Sequence, residues 1–384
     1  MNVLLLGTGT QGLVMTKSLN RLGHKVLLLI SERGNYADFS RYASKRIILK
    51  NCKDSLKYLE RFIQIIHLYS IDAVIPMSDK NAEFLSKNKK LLCQHVKFLM
   101  PDYQNFMCGY NKSKLMKLCK DNGYPHPTTQ ENINTIEDIN IKKLVFPLLI
   151  KPNQTCGGRG MTLVNNYEQL VECLPSIVKK HGTCHLQQYI RQGGAQVEVQ
   201  LFIDEKKQLL QSSVIKKYRW YPEKGGSSCC ATCIKNDEIV NILYDLLLKI
   251  NWVGFADFDT IEDPNSGQLL IMELNPRVPA CVKTAIVSGI DWGRIIVNGY
   301  TGHPQIHSEL KTGKIVRHLG FEILWFLKSP NRWKTKPNWF KMINNNIYYQ
   351  DMSDWTDPLP FVFGTCRNFI NLLFHKSKTP LNLL

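Results

Sequence analysis

The stretch Leu269-Leu-Ile-Met-Glu-Leu-Asn-Pro-Arg277 constrains this chain more than any other. It opens as an apolar run of strand type, which predicts burial on both faces. It ends with Glu273, Asn275 and Arg277 at alternate positions, so an extended backbone puts all three on one face. Pro276 has no N–H to give to a ladder and ends the pairing there. A carboxylate, an amide oxygen and a guanidinium at a strand end suit an oxygen-ligated divalent cation and the phosphates it carries. A strand capped by a surface salt bridge would read the same way, so the rest of the chain has to decide.

Immediately upstream, Gly254-Phe-Ala-Asp-Phe-Asp259 reads as a strand with Asp257 and Asp259 on one face, and Pro264-Asn-Ser-Gly267 as the turn of a hairpin that returns into Leu269. The hairpin can bring Asp259 to Glu273 and Asn275. Further back, Val145-Phe-Pro-Leu-Leu-Ile-Lys151 is a buried strand delivering one lysine at its end. The loop after it, Thr155-Cys-Gly-Gly-Arg-Gly-Met161, has glycines that let backbone N–H groups approach an anion. Lysine and loop suit a polyphosphate. The loop is not G-x-x-x-x-G-K-[ST], and neither H-R-D nor D-F-G occurs, which excludes a P-loop protein and a protein kinase.

The chain begins with an apolar strand at residues 2–6, then Gly7-Thr-Gly-Thr-Gln-Gly12, a helix to about Leu22 and a strand at Val26–Ile30 ending in Ser31-Glu32. That is a βαβ unit with a G-x-G-x-x-G loop and an acid about twenty residues on, a pattern that also occurs without a dinucleotide. A helix at Ser55–Tyr69, a strand at Ala73–Pro76, a helix at Asn81–Leu92 and a short strand at Lys97–Met100 complete a doubly wound α/β domain. The expected division is 1–105, 106–190, 191–305 and a C-terminal extension, 306–384. Residues 219–236 read as a mobile loop, in which Arg219 and Gly225–Ser228 either close on a substrate or are ordinary surface. Residues 361–374 are apolar and precede His375-Lys-Ser-Lys378. They read as a helix packed on the body or as a basic amphipathic element at a membrane.

At 384 residues and 44% hydrophobic, the chain can bury a core for two or three domains. No apolar run reaches membrane-spanning length, and the N-terminus reads as a first strand rather than a signal peptide. Twelve cysteines without such a leader point to reduced thiols in a cytoplasmic setting, and Cys229, Cys230 and Cys233 lack a second pair at zinc-ribbon spacing. The formal charge of +17 suits anionic partners. Without a zinc-finger, helix-turn-helix or RNA-recognition signature, nucleic acid is not expected.

The order of parts resembles the ATP-grasp superfamily: Asn-Lys112, Gly-x-Pro-x-Pro-Thr128, Phe-Pro-Leu-Leu-Ile-Lys151-Pro, Gly157-Gly-Arg-Gly160, Gln187-Gln-Tyr-Ile190, Glu198, Gly254 to Asp259, and Glu273-Leu-Asn-Pro-Arg277. The resemblance covers roughly residues 1–300. Within the superfamily the chain is most similar to carbamoyl-phosphate-synthase-like carboxylate–amine ligases, which Ser40-Arg-Tyr-Ala43 also fits. It implies a Rossmann-like first domain that binds no NAD, followed by a two-lobed, α+β ATP-grasp domain. It also implies ATP and Mg²⁺ as cofactors, with Mn²⁺ as the alternative. Lys112 and Lys151 would meet ATP phosphates under a loop formed by Gly157, Gly158 and Gly160. Gln188, Tyr189 and Ile190 would form the adenine hinge, and Glu198 would hold the ribose. Asp259, Glu273 and Asn275 would ligate the metal, and Arg277 would contact the transferred phosphate. Where the family has a glutamate, this chain has Gln188, which still accepts through its amide oxygen. Taken singly, Lys112 also fits a surface lysine at a helix start, Lys151 a snorkelling lysine and Glu198 a solvated strand residue.

The activity implied is ATP-dependent joining of a small-molecule carboxylate, such as a cell-envelope precursor, to an amine, in a chain compatible with a homodimer. The competing readings are an ATP-binding regulatory protein without turnover, and an NAD-dependent oxidoreductase built on the first glycine loop.

Overall fold

The computed structural model describes residues 1–50, 54–153, 160–191, 195–223, 226–303, 308–341 and 345–374, with side chains to 367. Three sheets organise it. The first is parallel, with β1 (Asn2–Leu6), β2 (Lys25–Ile30), β3 (Lys45–Ile48) and β4 (Ala73–Pro76) in the order β3-β2-β1-β4. Val3, Leu4 and Leu5 are wholly buried, as helices on both faces of a parallel sheet require. The second sheet is antiparallel, with β5 (Thr129–Ile133), β6 (Leu148–Pro152), β7 (Thr162–Val164) and β8 (Cys184–Gln188) in the order β5-β8-β6-β7.

The third sheet has seven strands: β9 (Gln196–Ile203), β10 (Leu209–Tyr221), β11 (Ser227–Ile234), β12 (Gly254–Glu262), β13 (Leu269–Asn275), β14 (Ile315–Arg317) and β15 (Ile347–Tyr349), in the order β13-β12-β9-β10-β11-β14-β15. One core joins Leu4 and Phe62 to Phe106, Val199, Trp252 and Leu274, and a second joins Val3 and Leu13 to Ile215, Ala231 and Trp292. Both therefore draw on the first and the third sheets. The antiparallel second sheet has its own core, Ile133, Leu148, Ile150, Leu170 and Leu174, under the helix Tyr167–His181.

Three expectations are corrected. Residues 219–236 are not a loop: β10 runs to Tyr221 and pairs with β11, because the apolar run Cys229–Cys233 supplies a buried partner strand. The expected strand Lys97–Met100 is a single parallel bridge from Lys97 to Ala73. The expected helix Asn81–Leu92 is two pieces, Asp79–Lys87 and Lys89–Leu92, divided at Asn88, whose side-chain amide bonds back to the Phe84 carbonyl.

Candidate active site

The central strands of the third sheet bring distant residues into rows. The antiparallel register sets Asp259 on β12 opposite Glu198 on β9 and Glu273 on β13, so three carboxylates lie side by side on one face. Two residues along, Asp257 faces Gln200 and Asn275. Such a row of like charge needs cations. Lys217 of β10 donates to Asp259 Oδ1 at 2.7 Å and approaches Glu198 Oε2 at 3.1 Å. Lys112, which begins a helix capped by Asn111, approaches Glu273 Oε2 at 3.0 Å. Arg277 donates through Nε to Asp79 of the first domain at 3.1 Å and lies 3.8 Å from Asp257 and 3.4 Å from Asn275 Oδ1.

Burial, with Glu198 and Asp259 adding to it, pushes the Asp257 carboxyl well above the usual range, and its Oδ1 is buried with no hydrogen-bond partner among the described residues. Burial acts the same way on Asp259, but the Lys217 ammonium outweighs it and holds that carboxyl below its ordinary value. Lys217 in turn is held well above its ordinary value, because Asp259 and Glu198 outweigh its burial. The two neighbouring carboxyls are therefore shifted in opposite directions, Asp257 towards the protonated form and Asp259 towards the ionised one.

On the second sheet, Lys151 is buried at the end of β6 and donates to Gln187 Oε1 on β8. Burial brings its ammonium down to about 8, with Glu273 pulling back and Lys112 pushing further. Beside it His185 is held well below its usual value by burial and by Lys151 and Lys112, so the ring is neutral; its Nδ1 meets Asn153 Oδ1 at 2.9 Å. The same oxygen accepts from Ser113 at 2.7 Å, which fixes Nδ1 as the protonated nitrogen. Gly157 and Gly158 lie outside the described residues. Gly160 is left-handed at φ +76, and a Cβ there would come within 2.7 Å of the His181 ring and 2.9 Å of Pro152.

Gln188 ends β8, and Tyr189 and Ile190 follow it. The backbone N–H of Gln188 bonds to Thr128 at 2.8 Å and that of Tyr189 to Pro147 at 3.2 Å, so both are engaged within the protein. Gln188 Oε1 accepts from the Thr128 N–H at 3.4 Å, and Ile190 is buried. A cleft lined by Thr128, Gln130, Val145, Leu186 and Gln188 opens beside them.

Two residues read differently from the sequence. Arg219, a candidate substrate contact, is buried: its guanidinium holds Glu322 at 2.7 Å, and Arg317 holds the same carboxylate at 3.0 Å. Lys217 was not anticipated, although Ile215 opposite Glu198 and the two-residue strand period would have put it on that face. In the first domain, a Cβ at Gly12 would lie 2.6 Å from the Gly7 carbonyl, so packing of the turn accounts for that glycine without a ligand.

Among the described residues no three His, Cys, Asp or Glu side chains stand grouped as a metal cage. The oxygen-only set of Asp259, Glu273 and Asn275 still fits a hard divalent cation, and ammonium groups 2.7 and 3.0 Å from its carboxylates mark where positive charge is required.

The chain is similar to several known proteins. The family described as carbamoyl-phosphate synthase L chain, ATP binding domain, matches residues 112–292. The carbamoyl phosphate synthase large chain, C-terminal section, of Methanopyrus kandleri is 22% identical over 187 residues, 45% of this chain and 33% of that protein. The chain thus spans about a third of that relative's length. Among solved structures, biotin carboxylase from Campylobacter jejuni in its beta-gamma-ATP complex is similar at TM-score 0.65 and 19% identity, covering 80% of this chain and 73% of that one. L-amino acid ligase from Bacillus licheniformis is similar at TM-score 0.64 and 16% identity, covering 82% and 78%. The chain has the ATP-grasp fold, and its residues 112–292 match the model of carbamoyl-phosphate-synthase-type ATP-binding domains.

Proposed function

We propose that this chain is an ATP-dependent ligase that activates a carboxylate as an acyl phosphate and joins it to an amine, releasing ADP and phosphate. The observation that carries this reading is the row Glu198–Asp259–Glu273, faced by Lys112 and Lys217 and flanked by Arg277, inside an ATP-binding family domain. A divalent cation, Mg²⁺ or alternatively Mn²⁺, would be held by Asp259, Glu273 and Asn275 and would supply positive charge that neutralises phosphate.

The chain's own side chains do the rest. Lys151 and Lys112 neutralise phosphate oxygens, so that a carboxylate oxygen can approach the γ-phosphorus in line. Arg277, fixed by Asp79 at 3.1 Å, presents its remaining guanidinium edge to the transferred phosphate. The carboxylate oxygen bonds to phosphorus as the bond to ADP breaks. The amine then bonds to the acyl carbon, phosphate departs, and the amine's surplus proton leaves with solvent. Gln188, Tyr189 and Ile190 border the base, and Glu198 is the ribose candidate, although its carboxylate is engaged by Lys217 at 3.1 Å. No protein nucleophile is required. Small-molecule carboxylates and amines are the substrate class, with a cell-envelope precursor among the acidic acceptors that a +17 chain suits, and the cytoplasm as the setting.

ADP release measured with ATP, Mg²⁺ and pooled carboxylates and amines tests the proposal. Turnover is expected only when both substrate types are present. Glu273→Gln is expected to lower it about a hundredfold or more while thermal unfolding stays cooperative. Tight ATP binding with no ADP release from any pair would support a regulatory protein instead, and NADH binding without ATP binding would support an oxidoreductase.

A further inference from the structure

The C-terminal region carries a surface that the ligase chemistry does not use. The helix Leu319–Lys328 buries Glu322 and Trp325 against the third sheet. Its outer face carries Ile323, Phe326 and Leu327, spaced as neighbours on one side of a helix, with Ile323 44% and Leu327 61% exposed. The following loop adds Trp333 and Phe340, which stack on each other at 5.7 Å, both lie against Phe326, and remain 70% and 57% exposed. Contiguous apolar surface of this kind marks an interaction site.

The loop is held from below. Arg219 donates to the Pro337 carbonyl at 2.7 Å and to Thr335 Oγ1 at 2.9 Å. Arg317 donates to the carbonyls of Trp339 at 2.9 Å and Lys341 at 2.8 Å, and the Trp339 indole donates to the Glu322 carbonyl at 3.1 Å. The buried triad thus fixes the backbone that presents Trp333 and Phe340 outward.

The charge on this segment has one sign. Residues 323–350 contain Lys328, Arg332, Lys334, Lys336 and Lys341 and no Asp or Glu. The nearest acid, Glu322, is wholly buried between two guanidiniums. An apolar centre with a tryptophan, on a segment whose charged side chains are all cations, is complementary to an anionic bilayer: the rings enter the headgroup boundary and the ammonium groups meet lipid phosphates. A nucleic acid would engage the lysines and the rings but gives no reason to expose Ile323 and Leu327 beside them.

We propose that this patch docks the protein on an anionic lipid surface. The inference stands apart from the ligase reading, since vesicle binding requires neither ATP nor substrate. The test is co-sedimentation of the full chain with vesicles of phosphatidylcholine alone and of phosphatidylcholine with phosphatidylglycerol, together with quenching of tryptophan emission by brominated lipid. Binding is expected only to the anionic vesicles and should weaken with salt. Trp333→Ser combined with Phe340→Ser is expected to weaken it about tenfold or more, and Lys334→Gln or Lys336→Gln about fivefold each. Quenching by brominated lipid is expected for the unaltered chain, so the inference remains testable if the serine variant does not fold. No sedimentation with anionic vesicles, equal binding to both vesicle types, no quenching, or full binding by a folded serine variant would each overturn it. So would binding to an acidic polypeptide or nucleic acid but not to vesicles.

Discussion

Lys151 is a buried ammonium whose nearest acceptor is an amide oxygen, that of Gln187. Burial lowers it from 10.5 to about 8. Unfolded, the same lysine keeps its proton to about 10.4. Below pH 8 the folded protein therefore holds a charge that burial disfavours, and this penalty is relieved as pH rises from about 8 to about 10.4. It corresponds to about 1.4 kcal/mol for each pKa unit. Lys151→Met is expected to stabilise the ligand-free protein in urea unfolding at pH 7 by up to a few kcal/mol, and to weaken ATP binding about tenfold or more. Affinity of the unaltered chain should fall as pH rises past 8, and that of the variant should not. A variant both less stable and unimpaired in ATP binding would refute this role. The residue was legible because it ends a recognisable apolar strand. Lys217 was hidden for the opposite reason: β10 is extended through residues 216–221 by pairing with β11, and Lys216-Lys217-Tyr218-Arg219 has no apolar alternation to announce it.

At the scale of elements, β10 serves both the site and the C-terminal region. Its pairing with β11 slips between Lys217 and Arg219, where two steps along β10 answer one along β11. Such a bulge shifts the alternation by one residue. Lys217 consequently turns to Asp259 while Arg219, two residues later, turns to Glu322. Because Arg219, Glu322 and Arg317 are at most 2% exposed, removal of the shared carboxylate leaves two buried guanidiniums unmatched. Glu322→Gln is expected to destabilise by about 3–5 kcal/mol in urea unfolding. A loss under about 1 kcal/mol would show that the triad relaxes to solvent. Nothing in the sequence pairs Arg219 with a glutamate 103 positions away, whereas the hairpin carrying Asp259 and Glu273 was readable because its turn is local.

At the scale of the molecule, β1, β2 and β4 of the first sheet were legible from their apolar runs, whereas its edge strand β3 and the C-terminal region were not, since β3 is half charged and polar contacts over long sequence distances hold the C-terminal region. β14 and β15 complete the edge of the third sheet. Asp354 accepts from Tyr42 at 2.7 Å and pairs with Lys17 at 2.8 Å, and Asp357 accepts from Ser40 at 2.6 Å and from the Arg41 N–H at 2.9 Å. The helix Leu359–Phe374 stacks Phe363 on Phe39 of the first domain. Truncation after residue 305 is expected to abolish cooperative thermal unfolding, because it bares β11 and removes both the triad and this seam. A cooperative transition in the truncated chain would contradict that.

The seam has a mechanical consequence. It sews the end of the described chain to its beginning, so the first and third sheets, already sharing two cores, behave as a single fixed jaw. The second sheet has a core of its own and meets that body through the helix that starts at Lys112, where Ser113 bonds to Asn153 and Gln187 to Met116. Lys151 and His185 belong to the second sheet, and Asp259 and Glu273 to the third, with Arg277 just beyond its β13. Any relative motion of the two bodies would therefore register as a change in the distance from Lys151 to Glu273.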